Sequence, residues 1–491
     1  MAGLKNCDYD AVVVGSGPNG LAAAITLQKN GCSVLLIEGK DSIGGGMRTA
    51  ELTLPGFLHD VCSAIHPLAA ASPFFKTLPL ANHGLEFIQP VYHAAHPFDG
   101  GSAAVLQSSV TDTAASLGKD KQAYLDIMVP FINDWPLLAP EILGPLQVPD
   151  HPMVMARFGL NALTPATFLV KRFKTKEARG LWGGMAAHAI QPLSNVATSA
   201  IGLVLMGTAH TGGWPMAKGG AGKIGEALLS YFTSLGGRLQ VNFHVESLTQ
   251  LPSSNVVLFD VTPKQLLAIA GGKLSPLYTW QLKRYRYGMG VFKIDWALDE
   301  PIPFTAPGCR QAGTIHLGNT FEEIEQSEKA TSRGRHAAKP FVLLAQQSLF
   351  DASRAPAGKH TAWAYCHVPN GSTVDMTVPI EDQVERFAPG FKERILARAT
   401  MNTHEVEAYN PNYIGGDING GVIDITQLFT RPAMRWSPYK IPASGLYICS
   451  SSTPPGGGVH GMCGYHAARK ALKDVFGVRL PNDPGAAPDM V

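Results

Sequence analysis

The sequence is poor in charged residues and contains no closely spaced pair of cysteines. Only 16% of the 491 residues are Asp, Glu, Lys or Arg, against about 25% in an ordinary soluble domain. A formal charge of +2 produces little long-range field, so we expect no nucleic-acid partner. The seven cysteines show no CxxC spacing, which excludes chemistry that exchanges electrons through a vicinal cysteine pair.

The sequence also has no uninterrupted apolar run long enough to cross a membrane. Residues 180–217 contain no charged side chain, but His188, Gln191, Asn195 and several glycines interrupt them. This stretch is interpreted as core, as the wall of an apolar tunnel, or as a surface resting on a membrane. Residues 1–10 lack the apolar run of a secretory signal. We therefore expect a cytoplasmic protein, with peripheral membrane contact as a further expectation.

Residues 9–38 have the layout of a strand, a tight turn, a helix and a second strand. The runs 9–14 and 33–37 predict buried strands, and the Ala- and Leu-rich run 21–29 predicts the helix. The turn consists of Gly15, Ser16, Gly17, Pro18, Asn19 and Gly20. Its glycines permit the turn, the approach of a pyrophosphate and close helix packing, while the helix amides favour an anion. Glu38 can accept hydrogen bonds from a ribose, so the pattern predicts a dinucleotide site.

Two further glycine-rich segments differ in their context. In residues 41–49, three glycines let the chain lie flat against a ligand, and Arg48 offers a planar fork for phosphate. Residues 220–225 repeat the GxGxxG pattern but do not follow a predicted strand. We interpret them as the entry to a helix over residues 224–235, and not as a second nucleotide site.

Together these motifs resemble the phytoene desaturase-like flavoproteins, which are relatives of the flavin amine oxidases. The likeness is carried by GSGPNGL from Gly15, by Glu38, by GGGMRT from Gly44 and by GLYICSSSTPPGGGVHGMCGYHAAR from Gly445. The most similar branch is the one named for a pyridine nucleotide-disulfide oxidoreductase domain. The resemblance implies FAD, held by one fold near the N-terminus and by the C-terminal stretch.

The resemblance also implies a role for individual residues. The backbone of Val245 should meet the adenine, and residues 458–462 should lie under the pyrimidine edge of the flavin, where helix-start amides stabilise negative charge. The implied cofactor-binding residues are Gly15, Ser16, Gly17, Pro18, Asn19, Gly20, Glu38, Gly39, Lys40, Gly44, Gly45, Gly46, Met47, Arg48, Val245, Gly458, His460, Gly461 and Met462.

Catalytic residues are not identified by the sequence, although His66 and His460 are candidates for proton transfer. The alternative for each is a histidine that only satisfies backbone groups. Carotenoid desaturases that resemble this chain usually carry Gly, His and Pro where Ser450, Pro454 and His460 stand, so carotene is not the expected substrate. No histidine pair has a flanking ligand cluster, and we expect no metal site.

The expected fold class is α/β: a Rossmann-type, glutathione reductase-like FAD-binding domain with an inserted mixed α+β substrate domain. Residues 1–80, 219–262 and 443–477 should form the first, and residues 81–218 and 263–442 the second. A strand over residues 239–247 should carry Val245. In the substrate domain, residues 285–298 alternate as a strand does, residues 341–347 are β-rich and residues 81–217 are more helical. Residues 478–491 should form a loose tail.

The expected function is hydride transfer between flavin N5 and a small apolar substrate, with isoprenoid-like compounds as one class. The reaction would dehydrogenate, saturate or isomerise a C–C bond, inside an apolar cavity that residues 180–217 partly line. One alternative is an FAD-dependent amine oxidase. Another is a non-enzymatic binder of lipid-like ligands or lipidated partners, against which the intact glycines and Glu38 argue. The electron acceptor and the oligomeric state are not determined.

Overall fold

The computed structural model describes residues 6–480, and the predicted tail lies outside the described residues from position 481 onward. The strands are β1 (Tyr9–Val14), β2 (Val34–Ile37), β3 (Thr49–Glu51), β4 (Leu58–Asp60), β5 (Phe87–Ile88), β6 (Tyr92–Pro97), β7 (Ala103–Leu106), β8 (Met216–Ala217), β9 (Arg238–Gln240), β10 (Ser254–Phe259), β11 (Gly290–Leu298), β12 (Ala312–Leu317), β13 (Val342–Ala345), β14 (His360–Val368), β15 (Ile395–Met401) and β16 (Leu446–Ile448).

The described residues contain seventeen α-helices. They are α1 (Pro18–Lys29), α2 (Pro67–Ala71), α3 (Pro73–Lys76), α4 (Val110–Ser116), α5 (Lys121–Ile142), α6 (Pro152–Ala162), α7 (Ala166–Leu169), α8 (Lys176–Ala187), α9 (Thr198–Thr211), α10 (Gly222–Ser234), α11 (Pro263–Ala270), α12 (Pro276–Lys283), α13 (Phe321–Ser332), α14 (Thr377–Phe387), α15 (Thr403–Tyr409), α16 (Ile425–Leu428) and α17 (Met462–Ala471).

A five-stranded parallel sheet brings three distant parts of the chain together. Its order is β16-β10-β1-β2-β9, with β1 at the centre between β10 and β2. The strands of the N-terminal unit are buried and apolar, as expected for a parallel sheet covered by helices. Helix α1 packs against both α10 and α17. The nucleotide-binding layout thus depends on segments from the N-terminus, the middle and the C-terminus.

The strand predicted over residues 239–247 is much shorter in the structure. Strand β9 covers only Arg238–Gln240, and Val245 lies in the irregular segment that follows. A second prediction is also wrong: a strand does precede the glycine-rich residues 220–225, because Met216–Ala217 pairs with Phe87–Ile88. Both differences come from short edge pairings, which local sequence patterns do not encode well.

The second large sheet is mixed and has seven strands in the order β15-β11-β14-β13-β12-β6-β7. Strand β11 begins at Gly290, five residues later than predicted, and all nine of its residues are buried. The alternation predicted for residues 285–298 was therefore wrong, since both faces of this strand are covered. One face of the sheet packs into a core of its own. The other face packs against the helices α4 to α9, which we call the helical region.

The charge-free residues 180–217 form part of the core of the helical region. They contain the second half of α8 and all of α9, two helices that pack against each other. Most of their side chains are buried, including Leu181, Trp182 and Trp214. The interpretation as a membrane-resting surface is thus wrong for this stretch. Among the described residues, no single helix is both long and apolar enough to cross a membrane.

Candidate active site

One cavity of about 550 Å³ lies between the parallel sheet, the mixed sheet and the helical region. Its nucleotide end is lined by Gly15, Ser16, Gly17, Pro18, Asn19, Glu38, Gly39, Lys40, Arg48, Val245 and Asp260. Its apolar end is lined by Ala64, Ile65, His66, Leu68, His188, Leu205, Trp214, Thr314, Leu343, Trp363, Tyr365 and Ile418. Gly45, Gly46, Cys62, Tyr413, Ser450 to Ser452 and Gly458 line the same cavity.

The glycines of the N-terminal turn are required by close contacts on three sides. Gly15 has a φ of +99°, which favours glycine, and a Cβ on Gly20 would lie 1.9 Å from the Gly15 carbonyl oxygen. A Cβ on Gly17 would lie 2.7 Å from Oδ2 of Asp260. The turn can therefore approach a diphosphate closely, while Gly20 serves the packing of α1 and does not line the cavity.

Glu38 directly follows β2 beside this turn and is buried. Its Oε2 accepts a hydrogen bond from the Ser16 amide at 3.1 Å, and its Oε1 accepts one from the Lys40 amide at 3.0 Å. Nη2 of Arg48 lies 3.4 Å from Oε1. These contacts hold the carboxylate at the nucleotide end of the cavity. Val245 is on the cavity wall too, so its predicted contact with adenine remains a prediction consistent with its position.

Arg48 uses much of its fork within the protein. Its Nη2 donates to the Ser42 carbonyl at 2.6 Å, and its Nε donates to the carbonyls of Ser42 and Ile43. The guanidinium also lies over the Tyr409 ring, 5.5 Å from its centroid. The residue lines the cavity, but a role in binding phosphate would fall to its remaining N–H groups.

Six of the residues predicted to bind the cofactor lie behind the cavity wall. They are Gly20, Gly44, Met47, His460, Gly461 and Met462, none of which lines the cavity. The helix-start amide of Met462 donates to Nδ1 of His460 at 3.0 Å, so it is used within the protein. Nε2 of His460 pairs with the Gly456 carbonyl at 3.2 Å. Both ring nitrogens of His460 are therefore hydrogen-bonded within the protein, and burial lowers its pKa to about 4.

The second GxGxxG segment has no free amides to offer a nucleotide. The amide of Ala221 donates to Oδ1 of Asp60 at 2.7 Å, and the amide of Gly222 donates to Oγ1 of Thr49 at 3.0 Å. A buried pair between Asp60 and Arg354, at 2.7 Å, holds this acid in place. The glycines join α10 to the β3–β4 hairpin, which agrees with the interpretation as a helix entry.

The apolar end is built from one face of the mixed sheet and from the helices opposite it. Leu343 pairs with Tyr365 across β13 and β14, and Ala345 pairs with Trp363. Directly opposed residues share a face, so Trp363, Tyr365 and Leu343 point the same way. Trp214 and His188 approach from the helical region, with their ring centroids 6.0 Å apart.

The acidic and strongly basic side chains of the cavity wall are confined to the nucleotide end. In the wall of this cavity, Glu38, Lys40, Arg48 and Asp260 are the Asp, Glu, Lys and Arg residues. Burial lowers the pKa of His66 to about 4 and that of His188 to about 3, so both rings are neutral near pH 7. The wall of the apolar end therefore carries no charged side chain near pH 7.

His66 is the candidate histidine that reaches the cavity. The Ser63 hydroxyl donates to the Gly46 carbonyl at 2.8 Å, so its oxygen accepts from Nε2–H of His66 at 3.2 Å. This arrangement leaves Nδ1 as the unprotonated nitrogen, and it has no hydrogen-bond partner among residues 6–480. His66 thus offers a buried proton acceptor in the cavity wall.

Sequence reasoning missed two kinds of residue around the cavity. Asp260 follows β10, and its Oδ2 accepts a hydrogen bond from the Gly20 amide at 2.9 Å. Lys293 and Asp295 form a buried pair in β11, directly across from Tyr365 and Trp363 and on the same face of the sheet. Two charged residues two positions apart in an apolar strand are a signal for the second case. No local pattern marks Asp260.

The residues of the nucleotide end fit FAD. Buried Oδ1 of Asn19, at the start of α1, has no partner within the described part of the chain, and Gly17 leaves room for a diphosphate where a side chain would clash. Glu38 directly follows the second strand beside this turn, which is the position from which an acidic side chain binds the ribose in this fold. The adjoining apolar end has no ionised residue to match a second nucleotide. Within residues 6–480, no three His, Cys, Asp or Glu side chains lie close enough together to hold a metal ion.

Comparisons with known proteins agree with this fit. Residues 13–78 match the NAD(P)-binding Rossmann-like domain. The chain is 26% identical to the rat (Rattus norvegicus) pyridine nucleotide-disulfide oxidoreductase domain-containing protein 2, over 97% of this chain and 96% of that protein. It is 22% identical to a lycopene-forming phytoene desaturase of a Paracoccus species, over 92% and 95% of the two chains. A solved putrescine oxidase variant superposes with a TM-score of 0.62 at 16% identity, covering 96% of this chain and 99% of that chain.

These observations define the class of the protein. The resemblance to the phytoene desaturase-like flavoproteins is confirmed over nearly the whole chain, and so is the predicted α/β fold. The protein is an FAD-dependent oxidoreductase, and among its relatives it is similar along its full length to the pyridine nucleotide-disulfide oxidoreductase domain-containing protein 2 of rat and mouse. All seven of its cysteines are free thiols.

Proposed function

We propose that the protein oxidises or reduces a carbon–carbon bond of a small apolar substrate, with isoprenoid-like compounds as the favoured class. One observation carries the proposal: the nucleotide end opens into an aromatic and aliphatic end whose wall holds no Asp, Glu, Lys or Arg. Bound FAD supplies an acceptor or donor of two electrons and a proton equivalent. The chain itself must bind the substrate, exclude water and handle any remaining proton.

The walls of the apolar end perform the first two tasks. Leu205, Leu343, Trp214 and Trp363 are almost completely buried, so an apolar ligand among them would lose little favourable hydration and would displace water. A dry site also keeps reactive carbon centres away from solvent. The rings of Trp363 and Tyr365, with centroids 5.2 Å apart, provide a rigid aromatic wall.

His66 is the residue that we assign to proton transfer. Its neutral imidazole has a free acceptor nitrogen and is held by Ser63, so it can take a proton from a substrate carbon or oxygen next to it. Burial holds its pKa near 4, which makes it a weak base that acts on an activated proton. The proposal therefore predicts that His66 affects the chemical step more than ligand binding.

An FAD-dependent amine oxidase is the second candidate, favoured by the overall likeness to putrescine oxidase. A charged amine would need an acidic partner or a wet route, and the apolar end has no acidic side chain in its wall. A non-enzymatic binder of lipid-like ligands or lipidated partners is the third. It would have no use for the complete set of Gly15, Gly17, Gly20 and Glu38.

The test is anaerobic mixing of the purified, FAD-loaded protein with a panel of compounds, followed by the visible absorbance of FAD. The panel contains limonene, farnesol and geranylgeraniol on one side, and putrescine and cyclohexylamine on the other. We expect an apolar compound to bleach oxidised FAD, or to restore the absorbance of FAD that was reduced beforehand with dithionite, and we expect a lower rate at unchanged ligand affinity in His66→Asn. Bleaching by amines alone would refute the proposal, and a colourless protein that takes up no FAD would refute its basis.

A further inference from the structure

The most exposed apolar side chains of the helical region lie in one segment. Within residues 146–168 six large apolar side chains are between 47% and 89% exposed. They are Leu146, Val148, Met153, Leu160, Leu163 and Phe168. We call these six residues, together with the cations defined below, the α6–α7 surface. Clustered exposure of this extent is costly in water and marks an interaction surface.

A basic segment follows immediately. Lys171, Arg172, Lys174 and Lys176 are all exposed, and no acidic residue lies between positions 164 and 176. Nζ of Lys176 lies over the Phe98 ring, 5.2 Å from its centroid, and its charge acts on Asp99. Lys171, Arg172 and Lys174 form no ion pair within residues 6–480 and are the cations of the surface. Nζ of Lys171 lies 5.8 Å from the centroid of the Phe168 ring, so the basic and apolar parts are in contact.

Helix α6 and the segment that follows it meet at an angle, and α6 has one face against the core and one face exposed to solvent. Helix α6 has 11 residues, and the chain turns by 83° between it and the segment from Ala166 to Arg172. Phe158, Val154 and Met155 on α6 pack inward against the core, while Met153 and Leu160 point to solvent. The exposed face of α6 is therefore opposite the face that packs against the core.

We propose that the α6–α7 surface docks the protein on a bilayer that contains anionic lipids. The apolar side chains would enter the boundary between headgroups and acyl chains, and Lys171, Arg172 and Lys174 would meet the negative headgroups. Charge complementarity favours this occupant over a second copy of the chain, because two copies would bring two unpaired basic segments together. Helix α6 packs on α9, whose Leu205 lines the apolar end, so docking would place the lipid one helix away from the substrate cavity.

The experiment is cosedimentation of the FAD-loaded protein with vesicles. One set contains phosphatidylcholine alone, and the other contains one part phosphatidylglycerol to two parts phosphatidylcholine. We expect binding to the anionic vesicles at least tenfold stronger, and weaker binding at high ionic strength. The triple variant Met153→Ser, Leu160→Ser, Phe168→Ser should lose at least tenfold in binding, as should Lys171→Gln with Lys174→Gln.

Matched controls change equally exposed residues elsewhere. Val374→Ser with Val378→Ser tests exposed apolar residues, and Lys273→Gln with Lys329→Gln tests exposed cations. These controls should bind vesicles like the wild type, and all variants should retain FAD and the melting temperature. Equal vesicle binding by the triple variant and the wild type would overturn the proposal. It would also be overturned if wild-type protein ignored anionic vesicles and formed a dimer that the triple variant cannot form.

Discussion

The two ends of the cavity are built in opposite ways. The nucleotide end is formed mainly by backbone: Gly15 and Gly17 shape the approach, Gly20 allows α1 to pack against the turn, and Glu38 is held by the amides of Ser16 and Lys40. At the apolar end, side chains from the mixed sheet and from the helices α8 and α9 meet face to face. The glycine turn and Glu38 thus depend on local geometry, whereas the wall of the apolar end depends on how distant elements pack.

The largest effect at the nucleotide end is expected from Gly17→Val. A branched side chain there would collide with Asp260, whose Oδ2 is 2.7 Å from the Cβ position, and with any diphosphate in the turn. We expect at least a 100-fold loss of FAD affinity by titration. Gly271→Ala is the matched control, since a Cβ there meets nothing within 4 Å. Normal FAD binding by the Val variant would show that the turn is not the diphosphate site.

A smaller effect is expected from Glu38→Ala. Loss of a charge-assisted hydrogen bond to the ribose costs about 1.5–3 kcal/mol, which corresponds to roughly 10- to 150-fold in the dissociation constant of FAD. Glu38→Gln keeps two polar atoms and should lose less. Unchanged affinity in the Ala variant, measured by flavin fluorescence, would remove Glu38 from the cofactor site.

At the apolar end, Leu343→Asn should weaken binding of the substrate and leave binding of FAD unchanged. This change places an amide among Trp363 and Tyr365, and burying it against an apolar ligand costs about 1–3 kcal/mol. We expect roughly 5- to 150-fold weaker binding of the apolar ligand that bleaches the flavin, with FAD affinity unchanged. Leu343→Met is the volume-matched control. A parallel loss of FAD affinity would mean that the two ends are not independent.

The smallest expected effect concerns pH. Burial raises the pKa of Asp260 from 3.8 to about 7, with the charge of Glu38 acting in the same direction. Because the folded-state pKa lies above the unfolded value, the stability from this group is complete below pH 4 and is lost as pH rises through about 7. The melting temperature of FAD-free protein should therefore fall by a few degrees more between pH 5 and pH 8 in the wild type than in Asp260→Asn.

The same variant sharpens the comparison of the two ends. A negative Asp260 would repel a diphosphate in the adjacent turn, so FAD affinity should also decrease above pH 7 in the wild type. Asp260→Asn should flatten that dependence, while the affinity for the apolar ligand should show no such trend. Identical pH profiles for the wild type and the Asn variant would contradict the role given to Asp260.

The histidines show where prediction from sequence fails. His66 and His460 were equal candidates, yet the first lines the cavity and the second is bonded to the backbone of its own loop. Neither position carries a local pattern that separates the two outcomes. Likewise, β14 is buried on both faces, so its sequence does not reveal that Trp363 and Tyr365 face the cavity while Ala364 and Cys366 face the other core.

The sequence by itself determined the βαβ unit, its glycine turn, Glu38 and hence the FAD class, because each depends on contacts between residues close along the chain. Only the tertiary structure decided that, of the two candidate histidines, His66 lines the cavity, that Asp260 lies against Gly17, and which face of the mixed sheet lines the cavity. These outcomes depend on packing between segments separated by up to hundreds of residues. Long-range packing of this kind leaves no periodic trace in any one segment.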